Sequence, residues 1–387
     1  MLAIRRNGIG GDYADIFLVN AETKETKELV RSGYGARYIA PGYLLFARAG
    51  CLMAISFDAD RRELSGEPIR IEAGMDTESL LRQVHASSST NGLLAYVPGG
   101  DLSIGNLAFV DRKGNNEYLQ APARVYGAVD LAPDGRKLAV HVADVHDYVW
   151  IYDIERKEGR RLSSADQNGW PLWSPNGRRI AIVAFGTEKS RIFLRDPDEG
   201  GTDSGQAISE FSGYGYANSF SPTSNVLALT LSLARRAQFV SLDSRTELAG
   251  FDGTFPSFGP DGRWIAYCST QSGQAEIYIR SYPDGKVNRQ VSINGGFEPR
   301  WKPSGELFYR NGNHWFSTHI STTGLEPHWD PPRAAFETEF IDTPGISYDV
   351  TPDGQRLLVV KRAQAIASTR IDVLLNWPEK LKPRIAK

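Results

Sequence analysis

The sequence predicts an all-β fold, a β-propeller, on three observations. A proline-centred turn such as Pro260-Asp261-Gly262 recurs along the 387 residues. From Pro133 onward the turns follow one another at intervals of roughly 40–50 residues, which is the period of a propeller blade. Each turn leads into a short apolar run, and no window holds the 3.6-residue apolar period of a helix for three turns. Repeated sheets of several short strands therefore account for nearly the whole chain.

The chemistry of the turn is that of a β-hairpin. Proline sets φ at the first corner, and Asp-Gly or Asn-Gly supplies the tight reversal into the next strand. Complete or degenerate copies begin at Pro41, Thr90, Pro133, Pro175, Pro222, Pro260, Pro303 and Pro352.

Within a repeat the strands follow in a regular order. In the repeat after residue 170, a short inner strand at 171–173 precedes an almost wholly apolar strand at 179–184, and a third strand follows at 191–195. A wholly apolar strand is buried on both faces of its sheet. Sheets packed radially around an axis hide both faces, and closing the ring removes the exposed edges.

The repeats predict a single domain of residues 1–387, most simply with eight blades of four antiparallel strands; seven blades are the alternative. Residues 1–35 and 343–376 are expected to form the closing blade, and residues 377–387 a short helix or tail on the outside. Both ends offer the second and third strands of a blade, so one pair is redundant or the natural chain begins further upstream. The seven complete repeats span 36–80, 81–123, 124–166, 167–212, 213–251, 252–294 and 295–342.

Charge and hydropathy argue against nucleic-acid binding and membrane insertion. A net charge of −2 and a pI of about 6.3 give no field that favours nucleic acid or an anionic membrane. The N-terminus lacks the apolar core of a signal peptide, and no run of about 20 apolar residues exists. The sequence therefore predicts a soluble, cytoplasmic protein, expected to be monomeric, without membrane insertion and without a nucleic-acid partner.

Two of the turn motifs carry a family resemblance. Residues 174–181 and 259–267 resemble TolB-like, WD-like propeller repeats. The chain is more similar still to the propeller regions that follow the kinase domain in many bacterial receptor-type serine/threonine kinases. The segments that carry this second resemblance are 50–58, 92–100, 109–114, 276–283, 295–301, 348–356 and 373–377.

The resemblance implies a sensor or interaction module, and such relatives include extracytoplasmic proteins. It does not imply kinase activity, because the chain has no glycine-rich loop with a strand lysine, no His-Arg-Asp loop and no Asp-Phe-Gly. A Gly-x-Ser-x-Gly elbow and a phosphate-cradling loop are also missing from the sequence.

Residues that enter the first strand of each blade are expected to line the mouth of a central channel, where loops carry function. An aromatic residue recurs there in most blades. The predicted lining residues are Arg37, His85, Tyr126, Trp170, Tyr216, Phe255, Glu298, Arg300 and Tyr348. Two interpretations stay open: the aromatic rings fill the space between blades, or they rim a cup for a peptide, a glycan or a flat small molecule.

Two polar pairs are further candidates. Asp144 and His146 alternate onto one face of an extended segment and are weak candidates for a metal site, but a solvated loop is the favoured interpretation. Glu298 and Arg300 alternate beside the channel, where they would pair with each other or bind a substrate carboxylate. No metal site is assigned and no cofactor is expected.

The sequence therefore favours a binding or interaction module that recognises a peptide, a protein or a small ligand at the channel mouth. The alternative is an enzyme in the same cup: a lactonase-like or glycan-acting hydrolase, or a cyclase or lyase of a small-molecule pathway. A scaffold without a ligand is the third hypothesis. An enzyme should present at least two convergent acids or histidines on the axis, with a metal or a perturbed carboxylate.

Overall fold

The structure is a computed structural model that describes most of the chain. The residues outside the description are 1, 7–13, 32, 41, 49–50, 74–76, 79–82, 90, 100–102, 144–146, 164–167, 187–188, 199–206, 325, 344, 364–369 and 381–387. The described part is all-β apart from one short 3-10 helix, Trp377–Lys380. This confirms that the protein is all-β, as the sequence predicts. No described helix has the length and apolarity that crossing a membrane requires.

The chain divides into two compact units. The first comprises Met1–Gly105, Ala143–Asp147 and Arg362–Lys387. Its strands, in sheet order, are Leu2–Arg6, Ala14–Val19 and Thr26–Val30; Tyr34–Ile39, Tyr43–Arg48, Cys51–Asp58 and Glu63–Ala73; Ala86–Ser88, Leu94–Tyr96 and Asp372–Leu374; and the pair Thr77–Glu78 and Gln83–Val84.

The second unit comprises Asn106–Val142 and Tyr148–Lys361. Groups 1 to 6 of its strands follow, and a few of their terminal residues are assigned to the first unit. Group 1 is Arg124–Leu131, Lys137–Ala143, Asp147–Asp153 and Glu158–Arg161. Group 2 is Asn168–Trp173, Ile180–Ala184, Lys189–Arg195 and Ser209–Ser212. Group 3 is Gly215–Phe220, Val226–Leu231, Arg236–Ser241 and Thr246–Asp252. Group 4 is Thr254–Phe258, Trp264–Ser269, Glu276–Ser281 and Asn288–Gln290. Group 5 is Phe297–Trp301, Glu306–Asn311 and His314–Ser321, which pairs with both His328–Trp329 and Arg333–Glu337. Group 6 is Tyr348–Val350, Arg356–Arg362, Ile104–Asp111 and Asn116–Tyr118.

Group 6 joins distant parts of the chain. Arg356–Arg362 lies next to Ile104–Asp111, and this strand in turn neighbours Arg124–Leu131, so groups 1 and 6 share one eight-stranded sheet. The sequence instead assigns the strands after residue 343 to a blade shared with residues 1–35. Among the described residues, the strands of the N-terminal segment pair only with one another, Leu2–Arg6 with Ala14–Val19 and the latter with Thr26–Val30.

The physical reason for this difference is the apolar strand at 356–362. Its side chains alternate between two buried clusters. Leu358 and Val360 pack with Leu107 and Phe109, while Val359 packs on the other face. A strand buried on both faces fits beside any apolar strand of the right length, so the repeat period alone cannot select its neighbour.

The core lies between neighbouring groups. Separate apolar clusters join groups 1 and 2, groups 3 and 4, groups 4 and 5, and groups 5 and 6. The strand Ile180–Ala184, predicted to be buried on both faces, is buried along all but its last residue. Trp377 corrects the prediction for the C-terminal segment, because its indole is fully buried in a cluster of the first unit rather than lying on the outside.

Candidate functional site

The first strands of the six groups contact one another in succession. The contacts run from Tyr348–Val350 to group 1 and on through groups 2, 3, 4 and 5. The hydroxyl of Tyr348 then donates to the carbonyl of Glu298 at 2.7 Å, which links group 6 to group 5. The predicted lining residues of the second unit therefore come together along one set of inner strands.

Five of the inner strands each contain a bulge. The pairing register shifts within the first strands of groups 1 to 5. Trp170, Phe255 and Glu298 stand at or beside these bulges with φ of 47°, 55° and 50°, in the left-handed region that side-chain-bearing residues seldom adopt. Such strain persists only where surrounding contacts impose it, and it is frequent at functional sites.

Aromatic rings from successive groups form a continuous arc, which we call the aromatic wall. Trp170 meets Tyr216 edge to face with ring centroids 4.4 Å apart, and Tyr216 stacks on Phe255 at 6.4 Å. Phe255 meets Phe297 at 4.8 Å. Trp170 and Phe255 are buried, whereas Tyr216 and Phe297 are half-buried and keep part of their rings exposed. The aromatic wall is therefore both a packed structure and a partly open surface.

A segment from the connection between groups 5 and 6 covers part of this wall. We call residues 341–347 the strap; residue 344 lies outside the described residues. Ile346 of the strap is buried in one cluster with Phe255. A Cβ on Gly345 would lie 2.7 Å from Trp170 Nε1 and 3.2 Å from Tyr216 Cδ1. Glycine is required here, because φ is +92° and the indole leaves no room for a side chain.

Glu298 and Arg310 hold the end of the strap. The guanidinium of Arg310 binds both oxygens of Glu298 at 3.1 Å and reaches Asp342 Oδ1 at 2.7 Å. The hydroxyl of Ser347 donates to Glu298 Oε2 at 2.5 Å. Burial raises the pKa of Glu298, and Arg310 opposes that rise. The expected pair of Glu298 with Arg300 is wrong, since the bulge turns Glu298 toward Arg310.

Arg300 belongs to a second buried network, the ionic cluster of Asp130, Arg300, Lys302 and Asp349. Arg300 Nη2 binds Asp130 Oδ1 at 2.9 Å, and its Nη1 donates to the carbonyl of Asn218 at 3.4 Å. Its Nε lies 3.9 Å from Asp349 Oδ1, which also binds Lys302 Nζ at 2.8 Å. Arg300 thus links group 5 to groups 1, 3 and 6.

The two carboxyl groups of the ionic cluster titrate differently. Burial raises the pKa of Asp130 to about 7, although Arg300 opposes the rise. Burial also acts on Asp349, but Lys302 and Arg300 outweigh it and lower its pKa. Asp349, with two cations beside it, therefore stays ionised, and Asp130 is the carboxyl group that takes up a proton first.

The acids of the ionic cluster share one position in the repeat, three residues before the turn proline. From that position Asp349 accepts the backbone N–H of Leu131 at 2.9 Å, and Asp130 accepts that of Trp173 at 2.6 Å. In groups 3 and 4 the residue at this position is a serine. Ser219 Oγ accepts the backbone N–H of Phe258, and Ser257 Oγ accepts that of Trp301. Sequence reasoning missed these acids, although a charge inside an apolar inner strand was a signal for a paired, buried group.

Most of the nine predicted lining residues meet in the second unit. Tyr126, Trp170, Tyr216, Phe255, Glu298, Arg300 and Tyr348 stand on its inner strands. Arg37 and His85 lie in the first unit, where the guanidinium of Arg37 donates to the carbonyl of Ala86 at 2.9 Å. Asp144 and His146, the candidates for a metal site, lie outside the described residues. Among the described residues, no group of three or more acid, histidine or cysteine side chains has the arrangement of a metal site.

Comparison with known proteins agrees with this geometry. Residues 169–327 match the TolB beta propeller domain. A putative TolB from Agrobacterium tumefaciens superposes with a TM-score of 0.52 at 18% identity, covering 68% of this chain and 99% of that one. This likeness shows a TolB-like propeller fold. TolB from Acinetobacter baumannii reaches a TM-score of 0.45 at 15% identity, over 84% of this chain and 78% of its own. An oligogalacturonate lyase from Vibrio parahaemolyticus reaches 0.44 at 15% identity, over 70% and 84%.

The TolB-like unit therefore offers two different environments on its inner strands. The ionic cluster is buried, and its carboxylates are committed to cations and to backbone N–H groups. The aromatic wall keeps partly exposed ring surface beside a strap whose ends are fixed by polar contacts. Of the two, the wall has the chemistry of a recognition surface.

Proposed function

We propose that the protein is a binding module that recognises a peptide, a protein or a small ligand at the aromatic wall. The observation that carries the proposal is the wall itself, with the half-buried rings of Tyr216 and Phe297 supported from behind by Phe255. Rigid aromatic rings supply large contact area at a low cost in conformational entropy, which is why they dominate binding surfaces.

The enzyme alternative has one observation in its favour. Asp130 and Asp349 converge on Arg300, and the pKa of Asp130 is raised to about 7. A general acid needs such a pKa, but it also needs to reach a substrate. Asp130 is buried and bonded to Arg300 and Trp173, so binding explains the site better than catalysis does.

The proposal for binding is tested by peptide selection. A display library of random extended peptides is selected on the full chain, and the enriched peptides are synthesised and titrated. Tyr216→Ala and Phe297→Ala are each expected to weaken their binding about tenfold or more, because an aromatic anchor at the centre of an interface is worth 1–2 kcal/mol or more. Tyr118→Ala is the matched control, since this ring is 54% exposed on the strand Asn116–Tyr118.

Two results would count against the proposal. Enriched peptides that bind the wall variants as tightly as the native chain would place recognition elsewhere. A selection without any enrichment would remove peptides as the ligand class.

For the second unit we propose a ring of six blades, groups 1 to 6, rather than the eight or seven predicted for the chain. Its support is the succession of inner strands and the sheet that joins Arg356–Arg362 to Ile104–Asp111. A ring closed by strands from both ends of its own sequence has no exposed edge. The likeness to the propellers attached to kinases, the cytoplasmic location and the monomeric state stay predictions.

This closure predicts how fragments behave. A chain of residues 103–363 is expected to unfold in one cooperative transition, whereas residues 119–363, which lack two strands of group 6, should not fold cooperatively. Circular dichroism during urea titration distinguishes the two. Equal stability of both fragments would show that the strands 104–111 and 116–118 do not close the unit.

A further inference from the structure

We propose that the second unit carries a separate binding site for a neutral sugar residue, between the outer strands of groups 6 and 1. The site shares no residue with the aromatic wall, so the inference does not depend on the proposed function. It arises from a cavity whose walls combine aromatic rings, apolar side chains and polar groups.

The cavity has a volume of about 120 Å³ and lies between Asn116–Tyr118 of group 6 and the turn that follows Asp147–Asp153 of group 1. An enclosed cavity of about 150 Å³ holds one benzene molecule. This cavity is open on the side where Tyr118 and Gln120 are exposed. A single ring therefore fits, with its substituents reaching the solvent.

Hydrogen bonds hold the two chain segments that bound the cavity. The hydroxyl of Tyr126 donates to the carbonyl of Pro122 at 2.5 Å, which fixes the connection between groups 6 and 1. The backbone N–H of Lys157 donates to the carbonyl of Asp153 at 2.9 Å, which closes the turn on the opposite side. A ligand would therefore meet walls that are already in place, and binding would not have to order them.

One side of the cavity is suited to the apolar face of a ring. The side chain of Tyr118 is 54% exposed, and the apolar side chains of Leu119, Ala121 and Ile154 are half-buried beside it. The face of an aromatic ring is electronegative, so it attracts polarised C–H groups. A sugar ring presents such C–H groups on one of its faces.

The polar side of the cavity is suited to hydroxyl groups. Gln120 contributes an amide with donors and an acceptor, Lys157 contributes an ammonium group, and Asp153 contributes a carboxylate. Asp153 Oδ1 already accepts the backbone N–H of Arg156 at 2.9 Å, which orients the carboxylate. A hydroxyl group both donates and accepts, so it pairs with each of these groups.

The charges around the cavity favour a neutral ligand. Glu117 Oε2 is paired with Arg356 Nη1 at 2.9 Å. The remaining charges, on Asp153 and Lys157, are of opposite sign. A phosphate or another anion would meet two carboxylates, and desolvating it would not be repaid.

Tyr152 supplies the observation that points to a ligand with hydroxyl groups. Its side chain lines the cavity and is only 5% exposed. Its hydroxyl is buried and has no hydrogen-bond partner among the described residues. The ring has little freedom to seek one, because it lies against Gly159 so closely that a Cβ there would overlap it. Buried hydroxyl groups in native proteins are almost always bonded, and a hydroxyl of the ligand would supply the partner.

The experiment measures binding of methyl glycosides of glucose, galactose, mannose and N-acetylglucosamine to the full chain by saturation-transfer NMR, followed by titration. The best of them is expected to bind with a Kd on the order of 1 mM, as a single small ring in an open cavity implies. Tyr118→Ala should weaken this binding about tenfold. Tyr152→Phe should weaken it about threefold to tenfold without lowering the stability of the chain, because the lost hydroxyl has no partner in the chain.

Two matched variants control for the loss of a ring and of a hydroxyl. Tyr38→Ala removes a ring that is 42% exposed in the first unit, and Tyr278→Phe removes a buried hydroxyl that donates to Gln290. Both should bind the glycosides as the native chain does. Because the cavity and the aromatic wall share no residue, Tyr118→Ala should weaken sugar binding and leave peptide binding unchanged.

The outcomes decide between classes of ligand. A disaccharide that binds more tightly than its monosaccharide supports the site and identifies a glycan, whereas equal affinities support it and identify a single sugar. Equal binding by the native chain and by either cavity variant would overturn the proposal. Tighter binding of phenol or of inorganic phosphate than of any glycoside would overturn it as well, since the cavity would then select a flat ring or an anion.

Discussion

Replacement of Arg300 by methionine is expected to lower the free energy of unfolding by about 3–5 kcal/mol. Arg300 is the cation between two buried carboxyl groups, 2.9 Å from Asp130 and 3.9 Å from Asp349. Methionine keeps much of the volume but leaves these acids with Lys302 alone. A buried charge without its partner keeps its desolvation cost and gains no attraction in return. Removal of one partner therefore lowers the stability by more than the intact ion pair contributes.

Urea denaturation followed by circular dichroism measures the effect. The matched control is Arg289→Met, because the pair of Arg289 with Glu326 is about half exposed on both sides and should cost less than about 1 kcal/mol. Adding Asp130→Asn to Arg300→Met should restore part of the loss, since one of the two uncompensated acids is then neutral. Equal costs for Arg300→Met and Arg289→Met would show that the ionic cluster does not hold the inner strands together.

Stability of the native protein should fall as pH rises from about 4 to about 7. The pKa of Asp130 is raised by burial to about 7 in the folded chain, while the unfolded chain ionises near its ordinary value of 3.8. Between these values the folded state holds a proton that the unfolded state has released. The stabilising contribution is thus complete below pH 3.8 and is lost as pH passes through 7. A shift of this size corresponds to a loss on the order of 4 kcal/mol.

The measurement compares urea unfolding of the native chain and Asp130→Asn between pH 4.5 and 8. Asparagine cannot ionise, so its profile should be flatter by most of that loss. Glu298 adds to the same trend in both proteins, because burial raises its pKa as well. Asp349 acts below pH 3.8, where its lowered pKa makes stability fall with acid, and so leaves this window unaffected. Parallel profiles for the two proteins would refute a protonated Asp130.

The repeats predicted the turns and most of the strands of the second unit. The turns at Pro175 and Pro260 lead into apolar strands as predicted, and seven of the predicted lining residues lie on the inner strands. Local chemistry suffices for this, because proline, Asp-Gly and apolar alternation act over a few neighbouring residues. The sequence therefore predicted that Trp170, Tyr216 and Phe255 stand on inner strands, and their part in binding stays a proposal.

The sequence did not predict which strands and side chains pair when they are far apart along the chain. The partner of Arg356–Arg362 is Ile104–Asp111, and the partner of Glu298 is Arg310 rather than Arg300. An apolar strand can pair with many other apolar strands, so the pattern does not select its partner. A bulge reverses the direction in which a side chain points, and no residue type in the sequence indicates it. Arg310 and Lys302 were missed for the same reason.

The sequence by itself determined that this protein is all-β, where its hairpins turn, and which aromatic residues gather on the inner strands. These properties follow from backbone preferences and from the alternation of apolar residues. Only the tertiary structure decided that the strap covers the aromatic wall and that Asp130, Arg300 and Asp349 share one buried network. Both depend on groups brought together across more than a hundred residues of chain, where desolvation and packing select the partner and local propensity has no influence.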